Sequence, residues 1–263
     1  MVSLRGIKLL FRTILSMLQE ERQNIILTQI NRHGKTLTAE LCKLLKVSID
    51  TVRRDLKELE DAGKIVKVHG GAISKSFHLP FQPAKVYAKQ EKMQIAEKAL
   101  SLVKSGMVIL GGGGTVMLEW AKMIPKELEG TFFSVSPLVA LEAAQCSKLK
   151  VILLGGQVAY GSYICSGASV ISQLSDIRAD LCLLGANGLS AKEGLTETDW
   201  EVAQVKKEML KVSNKTAVLS IAENLDTVQK IKVAPLKSAH CLITELAATD
   251  KRLSKYNQAI HLI

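Results

Sequence analysis

Apolar side chains recur at helical spacing through the amino-terminal part of the chain and then switch to short runs. Ile25, Ile26 and Ile30, with Gln29 among them, share a helical register over residues 21–32. Thr38 to Leu45 repeats the pattern with Leu41, Leu44 and Leu45, and only Lys46 and Val47 separate it from a third helix. That helix begins at Ser48, whose hydroxyl can accept from a backbone N–H two or three residues on, and Asp50 sits favourably in its first turn. Val52, Leu56 and Leu59 line one face, while Thr51, Arg53, Arg54 and Lys57 make the remainder polar and basic. Gly63 suits the left-handed backbone that ends a helix, Ile65 to Val68 reads as a strand, and His69, Gly70 and Gly71 read as a hairpin tip. Three short helices and a hairpin, with so brief a connection before the last helix, predict a helix-turn-helix. Such a unit lays its last helix in the major groove of duplex DNA, with the flanking parts on phosphate. Thr51 and Arg53, with Arg54, are the candidates for base edges; Lys35, Ser48, Lys57, Lys67 and His69 are the candidates for phosphate.

Residues 76–87 read as a short stiffened linker, since Pro80 and Pro83 interrupt any helix. Beyond it an amphipathic helix over 88–104 precedes apolar runs beginning at 108, 131, 151, 181, 216 and 241, which alternate with helical patterns. This alternation predicts an α/β domain over 88–263, a largely parallel sheet covered on both faces. The organisation is therefore an extension over 1–16, a DNA-binding domain over 17–75, the linker, and the α/β domain. Ligands in such sheets settle outside the carboxyl ends of strands. Three glycine-bearing loops fall there: Gly111 to Gly114 with Thr115, Gly155 with Gly156, and Gly185 to Gly188. The first opens a helix through Val116 to Met123, so its free N–H groups suit an anion. Gly112, Gly113, Gly114, Thr115, Gly155, Gly156 and Gly185 are accordingly candidates for binding a small anionic effector, although glycine also simply closes tight turns.

Charge sharpens the division. The chain of 263 residues carries a net +10, and residues 1–78 hold 14 Lys and Arg against 8 Asp and Glu, whereas residues 79–263 hold 21 against 17. A basic amino-terminal unit attracts polyanions, with an affinity that falls with salt. A membrane surface is the rival partner, but no stretch of about twenty apolar residues exists to span one. The five cysteines, Cys42, Cys146, Cys165, Cys182 and Cys241, form no close pair and read as buried thiols of a reducing cytoplasm, with neither metal nor cofactor implied. Residues 1–16 have the Arg, Lys and apolar mixture of a weak targeting peptide but lack a small-residue cleavage site. They read as an upstream extension before Met17, or as a loosely held helix.

The segment VSIDTVRRDLKELEDAG followed by HGGA resembles the DNA-binding segment of the DeoR family of bacterial transcriptional regulators. The resemblance continues through EKMQIA, LLGG, ADLCLLGANGL and GLTETDWEVAQVKKEML, and covers nearly all of residues 17–245. It implies a winged helix-turn-helix followed by an effector-sensing α/β domain similar to ribose-5-phosphate isomerase and CoA-transferase folds. It also implies a homo-oligomeric repressor of carbohydrate or related catabolic genes, answering to a phosphorylated sugar. Glu197, Asp199 and Lys206 keep the family pattern and would contact ligand or orient a loop at a subunit interface; Trp200 reads as a packing anchor.

Three departures fall on the family's sugar-phosphate pocket. Gly112 stands where an Asp is usual, Ser134, Val135 and Ser136 replace Thr-Asn-Ser, and Asn224 stands where a Lys closes an Asp-Ser-Ser-Lys segment. Charged hydrogen bonds contribute roughly 1.5–3 kcal/mol each, so these losses change what the pocket can hold. An isomerase needs a base of pKa near 7 and a charge stabiliser beside the reacting carbons, and Gly112 and Asn224 remove the obvious candidates. The readings that follow are a ligand-responsive regulator first, then an isomerase-like enzyme or a regulator whose sensor only oligomerises.

Overall fold

The computed structural model describes residues 19–30, 35–74 and 87–263, with the Cys146 side chain excepted. The expectations for residues 1–16, for a start at Met17, for the end of the first helix and for nearly all of the linker lie outside the described residues. The chain divides into two compact units, with the division between His78 and Leu79.

In the first unit, helix α1 over residues 19–30 is followed by strand β1 (Lys35–Leu37), helix α2 (Thr38–Leu45), helix α3 (Ile49–Asp61) and the hairpin β2 (Ile65–Val68) and β3 (Gly71–Ser74). The turn into α3 is made by Lys46 in the left-handed region (φ 54°). Gly63 ends α3 with φ 72°, as the sequence pattern predicts. Ile26, Ile30, Leu41, Val52, Leu56, Leu59, Ile65 and Ala72 form the core. The sequence pattern does not foresee β1, which pairs with β3 and makes the wing a three-stranded antiparallel sheet in the order β1-β3-β2. Gly71 therefore belongs to β3 rather than to the tip. A Cβ there would lie 2.1 Å from the Thr36 carbonyl oxygen, so only glycine permits the β1–β3 approach.

The second unit opens with helix α4 (Lys89–Leu100), and the sheet strands follow as β4 (Val108–Gly111), β5 (Thr131–Ser134) and β6 (Lys150–Leu153). Helix α5 (Thr115–Lys122) joins β4 to β5, and α6 (Pro137–Cys146) joins β5 to β6. After the small hairpin β7 (Gln157–Val158) and β8 (Cys165–Ser166) and helix α7 (Ala168–Ser175), strand β9 (Ala179–Gly185) returns to the centre. Strands β10 (Gly188–Ser190), β11 (Gly194–Glu197) and β13 (Ile231–Ala234) form a separate antiparallel sheet. Helix α8 (Trp200–Lys211) leads into β12 (Ser213–Leu219), and β14 (Cys241–Ile243) and β15 (His261–Leu262) complete the main sheet. Its seven strands run in the order β15-β14-β12-β9-β4-β5-β6, with every pair parallel. Two apolar cores, one containing Leu110, Leu184 and Val218 and the other Ile109, Leu183 and Leu219, alternate along the same strands, which is how a sheet covered on both faces must read.

Cys165, Cys182 and Cys241 are buried and Cys42 is half-buried, all as free thiols; burial pushes the Cys182 thiol up to about 12, which keeps it protonated and inert. No described helix is long and apolar enough to cross a membrane.

Candidate functional site

Helix α3 is built as the sequence pattern predicts. Ser48 caps it, its hydroxyl accepting from the Thr51 N–H at 3.2 Å and contacting the Thr51 hydroxyl at 2.8 Å. Thr51 is consequently half-buried with its hydroxyl engaged, whereas Arg53, Arg54 and Lys57 are exposed. Arg53 lies 3.6 Å from Asp50, an exposed pair too solvated to hold the guanidinium against a phosphate or a base. Lys35, Ser48 and His69 are exposed and Lys67 is half-buried. Two features escaped the sequence pattern. Ile49, at the first position of α3, is 46% exposed and presents an apolar group one turn from Arg53. Asp55 is fully buried on the apolar stripe, where Arg22 of α1 donates to both carboxylate oxygens, at 2.5 and 2.8 Å. The signal for this clamp was an Asp three residues after Val52 and four before Leu59, on a face that should be apolar. Gln19 and Gln23 of α1 also donate to Glu58, and the Lys67 N–H donates to Glu60, so α3 is held from α1 and from the wing at once.

In the second unit the strand order reverses between β4 and β9, since β5 and β6 lie to one side and β12, β14 and β15 to the other. Ligands of such sheets settle in a crevice outside the carboxyl ends of two strands whose connections diverge in this way. The loops after Gly111 and after Gly185 lie at that point of this sheet. The Gly112 N–H donates to Leu183 O at 3.0 Å, and a Cβ on Gly185 would stand 3.4 Å from Gly113 O, so these two loops meet. Gly113 is required by packing, because a Cβ there would lie 2.7 Å from Ile164. Gly114 has φ 99° at the start of α5, with Thr115 as the first helical residue. Gly112 is different: the nearest neighbour to an added Cβ is 3.5 Å away, an ordinary van der Waals contact.

Gly155 and Gly156 do not join this pair of loops. They follow β6 at the sheet edge, where a Cβ on Gly156 would lie 2.5 Å from Ser166 O and where Gly155 O accepts from Ser169 and Gln173. Close packing accounts for Gly156, whereas a Cβ on Gly155 would meet nothing within 4 Å.

Next to the loop after β9, Glu197 is 1% and Lys206 7% exposed, and they pair at 2.5 Å. Asn187, in the loop after β9, donates to the other Glu197 oxygen at 2.9 Å, and so does the Thr198 N–H at 2.8 Å. Burial pushes the Glu197 carboxyl up, but Lys206, the Thr198 N–H and Asn187 outweigh it and hold the group below its ordinary value. The carboxylate and the ammonium thus satisfy each other, and the pair orients Asn187 rather than reaching into solvent. Asp199 caps α8 through the Val202 N–H. Trp200 is 60% exposed with Lys207 over its ring, so it is not the packing anchor its sequence context predicts. Asn224 is 9% exposed; its amide donates to Ala186 O at 3.1 Å, and its Oδ1 has no partner among the described residues. No cluster of His, Cys, Asp or Glu among the described residues is arranged to hold a metal.

The pattern of the DeoR-like helix-turn-helix domain matches residues 22–77, and that of the DeoR C terminal sensor domain matches residues 88–246. The chain belongs to the DeoR family. The HTH-type transcriptional regulator GolR of Listeria innocua is 30% identical over 91% of this chain and 95% of that protein. The HTH-type transcriptional repressor GlcR of Bacillus subtilis is 31% identical over 87% and 89%. The lactose phosphotransferase system repressor of Streptococcus mutans is 29% identical over 93% and 100%. Among solved structures, ribose 5-phosphate isomerase A of Methanocaldococcus jannaschii covers 53% of this chain and 55% of its own at 19% identity, with a TM-score of 0.40. This DeoR-family chain is a DNA-binding transcriptional regulator with a sensor domain, and not an isomerase.

Proposed function

We propose that this DeoR-family regulator acts in the cytoplasm as a homo-oligomer, repressing carbohydrate uptake or catabolic genes until a small anionic metabolite, a phosphorylated sugar or a close relative of one, occupies the crevice between β4 and β9. The carrying observation is the exposed Arg53, Arg54 and Lys57 side chains on a helix whose start is capped by Ser48 and whose back is clamped by Arg22. A rigid helix that offers guanidinium groups near its start suits bidentate contact with guanine in the major groove. Arg53 and Arg54 read base edges, and Ile49 adds an apolar contact of the kind a thymine methyl accepts. Thr51 serves the base contact only if its hydroxyl leaves Ser48, while Lys35, Ser48, Lys57, Lys67 and His69 face phosphate. The sugar connection is supported by relatives named as a lactose phosphotransferase system repressor and as GlcR. The effector reading is supported by the meeting of the Gly112 and Gly185 loops at the switch point and by the unpaired Asn224 Oδ1. In it Gly112, Gly113, Gly114, Thr115 and Gly185 form the wall, and Glu197 with Lys206 holds Asn187 in place.

The test is selection of duplexes from a random pool by the full chain at moderate salt, followed by footprinting with and without a panel of phosphosugars. A shared sequence motif, protected and then released by one compound, is the expected result. Selection of no motif would overturn the reading.

A further inference from the structure

The short 3-10 turn Ala222–Asn224, which follows β12, works on two sides. On one side Asn224 donates to Ala186 O, directly after β9 at the switch point, and keeps a buried unpaired oxygen. On the other side the Tyr87 hydroxyl donates to the Glu223 carboxylate, 2.7 Å from each oxygen, across 136 residues of sequence. Tyr87 is the first described residue after the 75–86 segment that leads from the DNA-binding unit. The turn is also pinned at its start, where the Ala222 N–H donates to Glu245 at 3.0 Å.

The chain beside Tyr87 needs holding. Ala88 adopts φ 51°, a left-handed conformation that costs a residue with a Cβ of order 1 kcal/mol and persists only where neighbours enforce it. Lys92 supplies a second hold: its Nζ donates to Tyr87 O at 2.6 Å and lies 5.7 Å from the Tyr87 ring centre. A shift of the Ala222–Asn224 turn therefore acts on the point where the linker enters the sensor.

We propose that Ala222–Asn224 is the relay of this regulator: Asn224 reads the crevice, and Glu223, through Tyr87, positions the exit of the linker. The relay rests on the crevice being the effector site. Tyr87 and Glu223 are positioning residues, since they act through Asn224 rather than on the ligand.

The experiment is a double-mutant cycle in the full chain, with Asn224→Ala on the crevice side and Tyr87→Phe on the linker side. Hydrogen exchange of residues 87–92 and affinity for a duplex selected by the wild type are the two readouts. Asn224→Ala is expected to change exchange at 87–92 by about threefold or more in the wild-type background and to have little effect once Tyr87→Phe is present, as coupled sites require. Tyr87→Phe and Glu223→Ala should each shift duplex affinity by about threefold or more, while Glu223→Gln, which keeps an acceptor oxygen, should fall between them and wild type. Exchange in β9 and β12 reports whether each variant is folded, and Glu223→Gln carries the cycle if Tyr87→Phe is not. Equal effects of Asn224→Ala in both backgrounds, or unchanged exchange at 87–92 in Tyr87→Phe, would overturn the relay. The cycle needs no ligand. A phosphosugar that releases DNA from the wild type alongside an additive cycle therefore defeats the relay alone, and failure of every compound defeats the effector reading alone.

Discussion

Single side chains in this chain divide into those that meet solvent, and hence DNA, and those that hold the frame. Arg53→Ala should cost about 1–3 kcal/mol on the selected duplex and blur one base position, because a bidentate base contact is lost. Lys67→Ala should weaken all sequences alike and flatten the salt slope by about one unit. Equal loss on selected and random DNA for Arg53→Ala would remove that residue from base reading. Inside the sensor, Lys206→Met strands the Glu197 carboxylate at 1% exposure, and a buried charge deprived of its partner costs about 3–5 kcal/mol. Chemical denaturation should show that loss, with Glu197→Gln/Lys206→Met recovering most of it. Lys92 gives a pH signature. Burial lowers its ammonium to about 8 from an ordinary 10.5, against the opposing pull of Glu223, Glu91 and Glu119. Between those values the unfolded chain holds the proton that the folded chain has released, so the contribution of Lys92 to stability rises with pH across that window, and below about 8 its cost is fully present. The difference in stability between Lys92→Met and the wild type should therefore change across that window in a pH series of unfolding curves and level off below about 8.

At the scale of elements, what could be read in the sequence depended on length. Helix α2 and the start of α3 follow from periodicity and the Ser48 cap, and six strands of the main sheet follow from apolar runs that end in glycine or a polar residue. The two- and three-residue strands β1, β7, β8 and β15 lie in no apolar run, unlike the equally short β14, and their existence depends on their pairing partners. The same limit governed the sites. The glycines after β4 and β9 stand out in the sequence, but their meeting depends on strand order, which no local pattern encodes; Gly156, equivalent to them in the sequence, is packed against Ser166 at the sheet edge. The Arg22–Asp55 clamp and the Tyr87–Glu223 contact were missed for the same reason, each joining residues from distant segments. Gly71→Ala tests the least foreseen element: with Thr36 O in the way, β1 must part from β3. Exchange at residues 35–37 should rise sharply while β9 and β12 stay protected.

For the whole molecule, the proposed effector site carries Gly112 and Asn224 at the two positions where the family resemblance implies a carboxylate and an ammonium. A Cβ at Gly112 meets nothing nearer than 3.5 Å, so the backbone there accepts the first atom of an Asp side chain. Gly112→Asp with Asn224→Lys should widen the set of phosphosugars that raise the melting temperature of the full chain, since a ligand bound only by the folded state stabilises it. An identical set for wild type and double variant would mean that the altered positions do not choose the ligand.

The adjacency of β4 and β9 also sets a timetable. Val108–Gly111 has no neighbour on its β9 side until Ala179–Gly185 has left the ribosome, and β12 and β14 come later still. The described elements of the first unit end at residue 74 and are dominated by short-range helical contacts, which form quickly, whereas distant parallel pairings are slow. During synthesis the helix-turn-helix unit can therefore fold well before the sensor sheet closes around β4.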